Sequence, residues 1–169
     1  MADEQAAFAV FGAFAGFALL IGLIVFAFWI LTIIAHWKMF TKAGEAGWKS
    51  LIPIYSDYVL FKLVWDVQNF WIYLGLGVAG YIFSRITVGI DPSANGFVYI
   101  LWLFFNLLNI VAGIGALVWY VRAQIQTAYA YGKDIPFAIG LVLLPGIFSL
   151  ILGLGSARYV GTQSRFARY

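Results

Sequence analysis

The stretch FAVFGAFAGFALLIGLIVFAFWILTII (Phe8–Ile34) contains one polar side chain, Thr32. A helix on the surface of a soluble protein carries an apolar stripe and a polar face. This one is apolar all round, as a membrane span is. The hydrocarbon core of a bilayer takes about 20 such residues. The stretch therefore reads as a membrane helix, and the rest of the chain is read with lipid as its solvent.

Working outward, the first block runs from about residue 6 to 37. It exceeds one bilayer crossing, so it tilts or projects. Gly12 and Gly16 stand four apart, flanked by Ala9 and Ala13. Small residues at this spacing let two helix backbones approach closely, which makes this the expected packing face. Phe8, Phe11, Phe14 and Phe17 form a lipid-facing or packing stripe rather than a cofactor site. His36, Trp37 and Lys38 close the block at the interface.

Composition agrees. The chain is 64% hydrophobic and 10% charged, where a soluble domain carries about a quarter charged residues. There is no cysteine and one histidine, so thiolate metal sites, disulfides and polyhistidine cages are excluded. No cofactor is expected. The net charge of +3 is spread over the joints between apolar blocks, which speaks for membrane topology and not for nucleic-acid binding. The acidic start, MADEQ, lacks the basic flank of a signal peptide.

The further apolar blocks span about residues 70–88, 97–121 and 135–154. The expected fold is an all-α polytopic bundle, one integral membrane domain of about four membrane segments. Residues 39–66 form the joint after the first block, expected to be an amphipathic or shallow re-entrant segment at the inner leaflet. Trp48, Pro53, Tyr55 and Tyr58 mark it as interfacial, and Ser56 or Asp57 is expected to cap a short helix starting near Tyr58. Pro145 and Gly146 interrupt the last block. A single crossing fits its length of about 20 residues. A re-entrant hairpin fits its charges.

The lysine and arginine count sets orientation. With the N-terminus outside, Lys38, Lys42, Lys49, Lys62, Arg122 and Lys133 lie in the cytoplasm and Arg85 outside. A crossing last block then puts Arg158, Arg165 and Arg168 outside too, six against four. A hairpin makes the count nine against one. Lys38, Lys42, Lys49 and Arg122 are candidates for contact with anionic headgroups.

GWKSLIPIYSDYVLF (Gly47–Phe61) and AIGLVLLPGIFSLIL (Ala138–Leu152) faintly echo each other. Each has a Leu-aliphatic-Pro step after a turn of small residues and lysine. A degenerate duplication and a chance likeness of apolar segments both account for it. At these segments the chain resembles a family of small, uncharacterised bacterial membrane proteins with a Gly-Trp-x-x-Leu-Ile-Pro-Ile-Tyr-Asn-x-Tyr-x-Leu-Phe signature. GLVLLPGIFSLILGLGSARYVG (Gly140–Gly161) is similar to the family's closing segment. Ser56 stands where the family usually has Asn, and residues 78–101 look longer than usual. Similar domains are sometimes fused to, or named as, type I signal peptidases. The resemblance implies a module of the bacterial cytoplasmic membrane, not a peptidase. That chemistry needs a serine nucleophile and a lysine base on a folded domain outside the membrane, and the loop Gly89–Gly96 is too short to supply one.

Asn106 and Asn109 stand three apart in an apolar block. They are expected to hydrogen-bond across helices. All seven carboxylates fall near a membrane surface, which argues against a proton-coupled pump. The expected function is non-enzymatic. The protein would work by association, as a scaffold or accessory subunit of another membrane protein, or as a homo-oligomer. A small oligomeric channel or transporter with a polar path near Asn106, Asn109 and Arg122 is the alternative.

Overall fold

The computed structural model describes residues 2–162, with side chains from residue 11 on. Six α-helices follow one another: α1 (Ala2–Lys42), α2 (Pro53–Val64), α3 (Val67–Gly89), α4 (Gly96–Ala130), α5 (Ile135–Leu143) and α6 (Pro145–Leu154). A 3-10 helix, Gly47–Leu51, precedes α2. No strand occurs among the described residues. Phe11–Lys42 of α1, α3 and α4 are each long and apolar enough to cross a membrane. The chain is a helical membrane protein.

α1 and α4 end in the same way. Gly44 adopts φ +80° and Gly132 φ +69°. Glu45 N–H donates to the Phe40 carbonyl (2.9 Å) and Gly44 N–H to Thr41 (3.2 Å). Lys133 N–H donates to Ala128 (2.8 Å) and Gly132 N–H to Tyr129 (3.0 Å). This paired pattern, with glycine in the left-handed region, satisfies carbonyls that the helix end orphans. Both turns carry the small residues and lysine noted in the sequence. α1 therefore continues past His36-Trp37-Lys38 to Lys42, one turn beyond the expected close.

α3 and α4 are antiparallel. Asn95 caps α4, its Oδ1 accepting from Val98 N–H at 3.0 Å. Asn109 Nδ2 donates to the Gly80 carbonyl (2.8 Å) and Trp119 Nε1 to Asn69 Oδ1 (3.1 Å). α4 outruns α3 at the Trp119 end. The overhang, with the last turns of α1, carries the core: Met39, Phe40, Val59, Leu63, Ala128, Tyr131, Ala138, Leu141 and Leu152 are buried together.

The last apolar block folds back on itself. Proline disfavours the helical region for the residue before it, and Leu144 leaves the helix at φ −135°, ψ 63°. α6 then folds back beside α5. Phe137 meets Phe148 edge to face at 5.0 Å, and Gly140 leaves room for the Phe148 ring. Both ends of the block return to one level. Val160 N–H donates to the Ala130 carbonyl (2.8 Å), Tyr131 Oη to Met39 (2.8 Å) and Tyr159 Oη to Leu63 (2.7 Å). A single crossing, expected because about 20 apolar residues fit one bilayer, is thus replaced by a hairpin of two half-length helices. α6 lies against α1 so closely that a Cβ on Gly153 would stand 2.7 Å from Ala35 Cα.

The joint differs from expectation too. α2 starts at Pro53, with Ile52 as its N-cap, so Ser56 and Asp57 lie inside the helix and cap nothing. Proline suits the first helical position because its missing N–H has no partner there anyway. The two echoing segments each place a one-residue break, Ile52 or Leu144, before a proline-started helix.

Candidate functional site

Two features stand out: a bare helix and a mainly apolar cavity with a few polar side chains. Residues 11–31 of α1 are all exposed. Nothing lies within 4 Å of a Cβ built on Gly12, Gly16 or Gly22. The packing expected of Gly12 and Gly16 is therefore not made within this chain.

Below this arm, α1, α2, α4 and the α5–α6 tip border a half-open cavity of about 520 Å³. α1 contributes Val25, Trp29, Thr32, His36 and Met39. Asp57 and Leu60 come from α2. Tyr120, Gln124 and Thr127 come from α4, and Leu141, Pro145 and Ser149 from the hairpin. A smaller recess of about 220 Å³ shares Trp29, Thr32, His36 and Asp57 and adds Ser50 and Ser56. The cavity exists because the hairpin holds α1 and α4 apart and stops at mid-helix. Gly146, at its tip, meets Phe28 and Thr32, about 15 Å along α1 from Lys38.

The threonine and serine hydroxyls around it have committed their protons. Thr32 Oγ1 donates to Phe28 O (2.9 Å), Thr127 Oγ1 to Ala123 O (2.8 Å) and Ser149 Oγ to Gly146 O (3.0 Å). Each oxygen keeps only acceptor capacity. Asp57 adds a carboxylate. It is exposed by surface area and stands at the open side of both recesses. Loss of hydration there pushes its pKa up. The described structure gives it no hydrogen bond and no ion pair, the described ion pairs being Lys49–Glu45 and Lys62–Glu45. No lysine or arginine lines either recess. The sequence reading placed Asp57 with the surface carboxylates and gave His36 no partner region. Their meeting depends on the fold of α2 against α1, and neither spacing nor composition signals it.

The remaining site candidates lie elsewhere. Asn109 bridges α4 to α3, but Asn106 Nδ2 turns back to Trp102 O of its own helix (3.0 Å). Cross-helix bonding is thus Asn109's alone; an amide four residues past a carbonyl finds it without a neighbour helix. Lys42 Nζ donates to Leu152 O (2.6 Å) and Gly155 O (2.7 Å), closing the C-terminus of α6 instead of reaching for headgroups. Lys49 pairs with Glu45, which Lys62 also holds at 2.9 Å. Both ammonium groups hold the Glu45 carboxyl below its ordinary pKa. Arg122 lies over the Trp65 ring, 6.0 Å from its centre. Lys38 is exposed. In the joint, Trp48, Tyr55 and Tyr58 stack in series at 6.3 and 5.9 Å. Tyr58 then meets Phe70 of α3 edge to face, so the joint is tied to the bundle by aromatic contacts. Pro53 begins α2.

Residues 48–162 match a family of unknown function, DUF5684. The chain belongs to this family. The DUF5684 region takes in the joint from Trp48 on, α3, α4 and the hairpin, with Asp57, Tyr120, Gln124, Thr127 and Ser149 of the cavity. α1 lies outside the match, and with it Thr32 and His36. No curated protein and no solved structure matches the chain.

Proposed function

We propose that this is a non-enzymatic, multi-pass protein of the bacterial cytoplasmic membrane that works by association, with its N-terminus outside. The observation that carries the reading is the bare arm of α1. From residue 11 to 24 every side chain is exposed and none lines either recess, while this arm carries Gly12 and Gly16 with open space above them. Helices in lipid associate through close backbone contact at small residues, and a second helix fills such a groove with dispersion contacts better than mobile acyl chains do. A second copy of the chain supplies that helix in the simplest case, and an apolar segment of another membrane protein in the scaffold case.

Orientation rests on charge. Lys38, Lys42, Lys49, Lys62, Arg122, Lys133 and Arg158 gather towards the core end, and Arg85 lies towards the opposite loop. Arg165 and Arg168, counted in the sequence, lie outside the described residues. The positive-inside preference puts the core end in the cytoplasm. The absence of a folded domain between the spans supports a non-enzymatic role over a signal-peptidase one: the outer loop between α3 and α4 is six residues long, 90–95. A channel through Asn106, Asn109 and Arg122 has less support, because both amides already serve helix carbonyls.

Native mass measurement in mild detergent tests the association. The parent is expected as an oligomer, and Gly12→Leu or Gly16→Leu as a monomer of unchanged helix content, since neither new side chain meets a neighbour within the chain. A parent that is already monomeric and captures no membrane partner through α1 would sink the reading.

A further inference from the structure

We propose that the cavity between α1, α2, α4 and the hairpin tip binds a hydrophobic ammonium, a protonated amine on an apolar body, with its nitrogen against Asp57. This inference does not rest on association through α1.

Charge argues first. Asp57 is a carboxylate without a partner, and no lysine or arginine lines the space it faces. Asp57 keeps contact with water, yet the protein beside it takes part of the carboxylate's hydration and pushes its pKa up, a cost that stands while no cation is near. A cation seated beside it removes the cost. Hydrogen-bonding capacity argues next. The hydroxyls of Thr32, Thr127 and Ser149 have given their protons to backbone carbonyls. With Asp57 they make an acceptor-rich wall, while Gln124 and His36 offer donor and acceptor alike. An ammonium brings three donors and no acceptor. Tyr120, Trp29, Gln124 and His36 also bring donors, but an anionic ligand would find no lysine or arginine and would face the Asp57 carboxylate.

The rest of the lining is apolar: Val25, Phe28, Met39, Leu60, Leu141 and Pro145. Trp29 adds an aromatic ring, a favourable neighbour for a cation. A volume of about 520 Å³ lies within the range of small-molecule sites. The bare arm of α1 above the tip leaves the space open to the side, so a ligand with a tail can enter from lipid. Two sources present this chemistry, an ethanolamine phospholipid and a free amphiphilic amine.

The experiment uses the full chain in a neutral detergent, with ligand binding read by native mass spectrometry. The probes are dodecylamine, dodecanol and dodecanoate, then phosphatidylethanolamine and phosphatidylglycerol. Dodecylamine is expected to bind more tightly than dodecanol or dodecanoate. Asp57→Asn should weaken it by about tenfold or more, the size of a charge-assisted hydrogen bond. Asp66→Asn, which removes the same charge outside the cavity, should leave it unchanged. Displacement of dodecylamine by phosphatidylethanolamine but not phosphatidylglycerol identifies the lipid as the source, and its absence identifies the free amine. The proposal is overturned if dodecanol or dodecanoate binds as well as the amine. Asp57→Asn binding within about twofold of the parent, or neither amine nor ethanolamine lipid binding at all, overturns it as well.

Discussion

Lys42 shows how far a single residue's role can lie from its sequence context. It ends one helix and closes another more than a hundred residues away. Its ammonium sits where the last carbonyls of α6 leave partial negative charge. Lys42→Met is expected to cost about 1–2 kcal/mol, read as a lower midpoint of thermal unfolding in detergent. Lys38→Met removes the same charge one turn earlier, from an exposed side chain, and should shift the midpoint little. Equal shifts would mean that net charge, not the α6 carbonyls, is what matters. In the sequence both lysines sit at the end of an apolar block, and both read as interfacial. That Asp57 borders the cavity is hidden in the sequence for the same reason. Local pattern reports depth along a helix, but not which helix stands opposite.

The hairpin is the element that the sequence left open. Twenty apolar residues suit one crossing, and they suit two short helices equally well; hydropathy is identical in either arrangement. The charge count pointed to the hairpin, and Pro145 supplied the break. What the sequence did not disclose is the contact that fixes it, Gly153 against Ala35. Gly153→Val should force α6 off α1 and destabilise the protein by about 1–3 kcal/mol, the range for overpacking. Pro145→Ala should cost less, because Leu144 also lies at a turn held by packing on both sides. Comparing the two by thermal unfolding separates close packing from backbone restriction. A larger loss for Pro145→Ala would show that the break, not the contact, holds the hairpin.

At the scale of the whole molecule, a chain without cysteine allows the topology to be read directly. Ala94→Cys lies in the loop between α3 and α4, and Ser156→Cys just past α6. The hairpin puts them on opposite faces of the membrane. An impermeant maleimide applied to intact cells should label Cys at position 94 and spare position 156. A single crossing would expose both together, and labelling of 156 alone would reverse the orientation. The three long spans and the all-α class were legible from the first apolar block outward, because a bilayer leaves so few ways to satisfy a backbone.

The half-depth hairpin also makes the protein unequal in girth. α5 and α6, each about 15 Å long, thicken only the half of the molecule that holds the core. That half contains α1, α4, α5 and α6 beside α2, and the other half contains α1, α3 and α4. A leaflet that holds the core end yields more area to each copy than the opposite leaflet does. A sheet populated by such wedges relieves the mismatch by bending, with the core-end leaflet on its convex side.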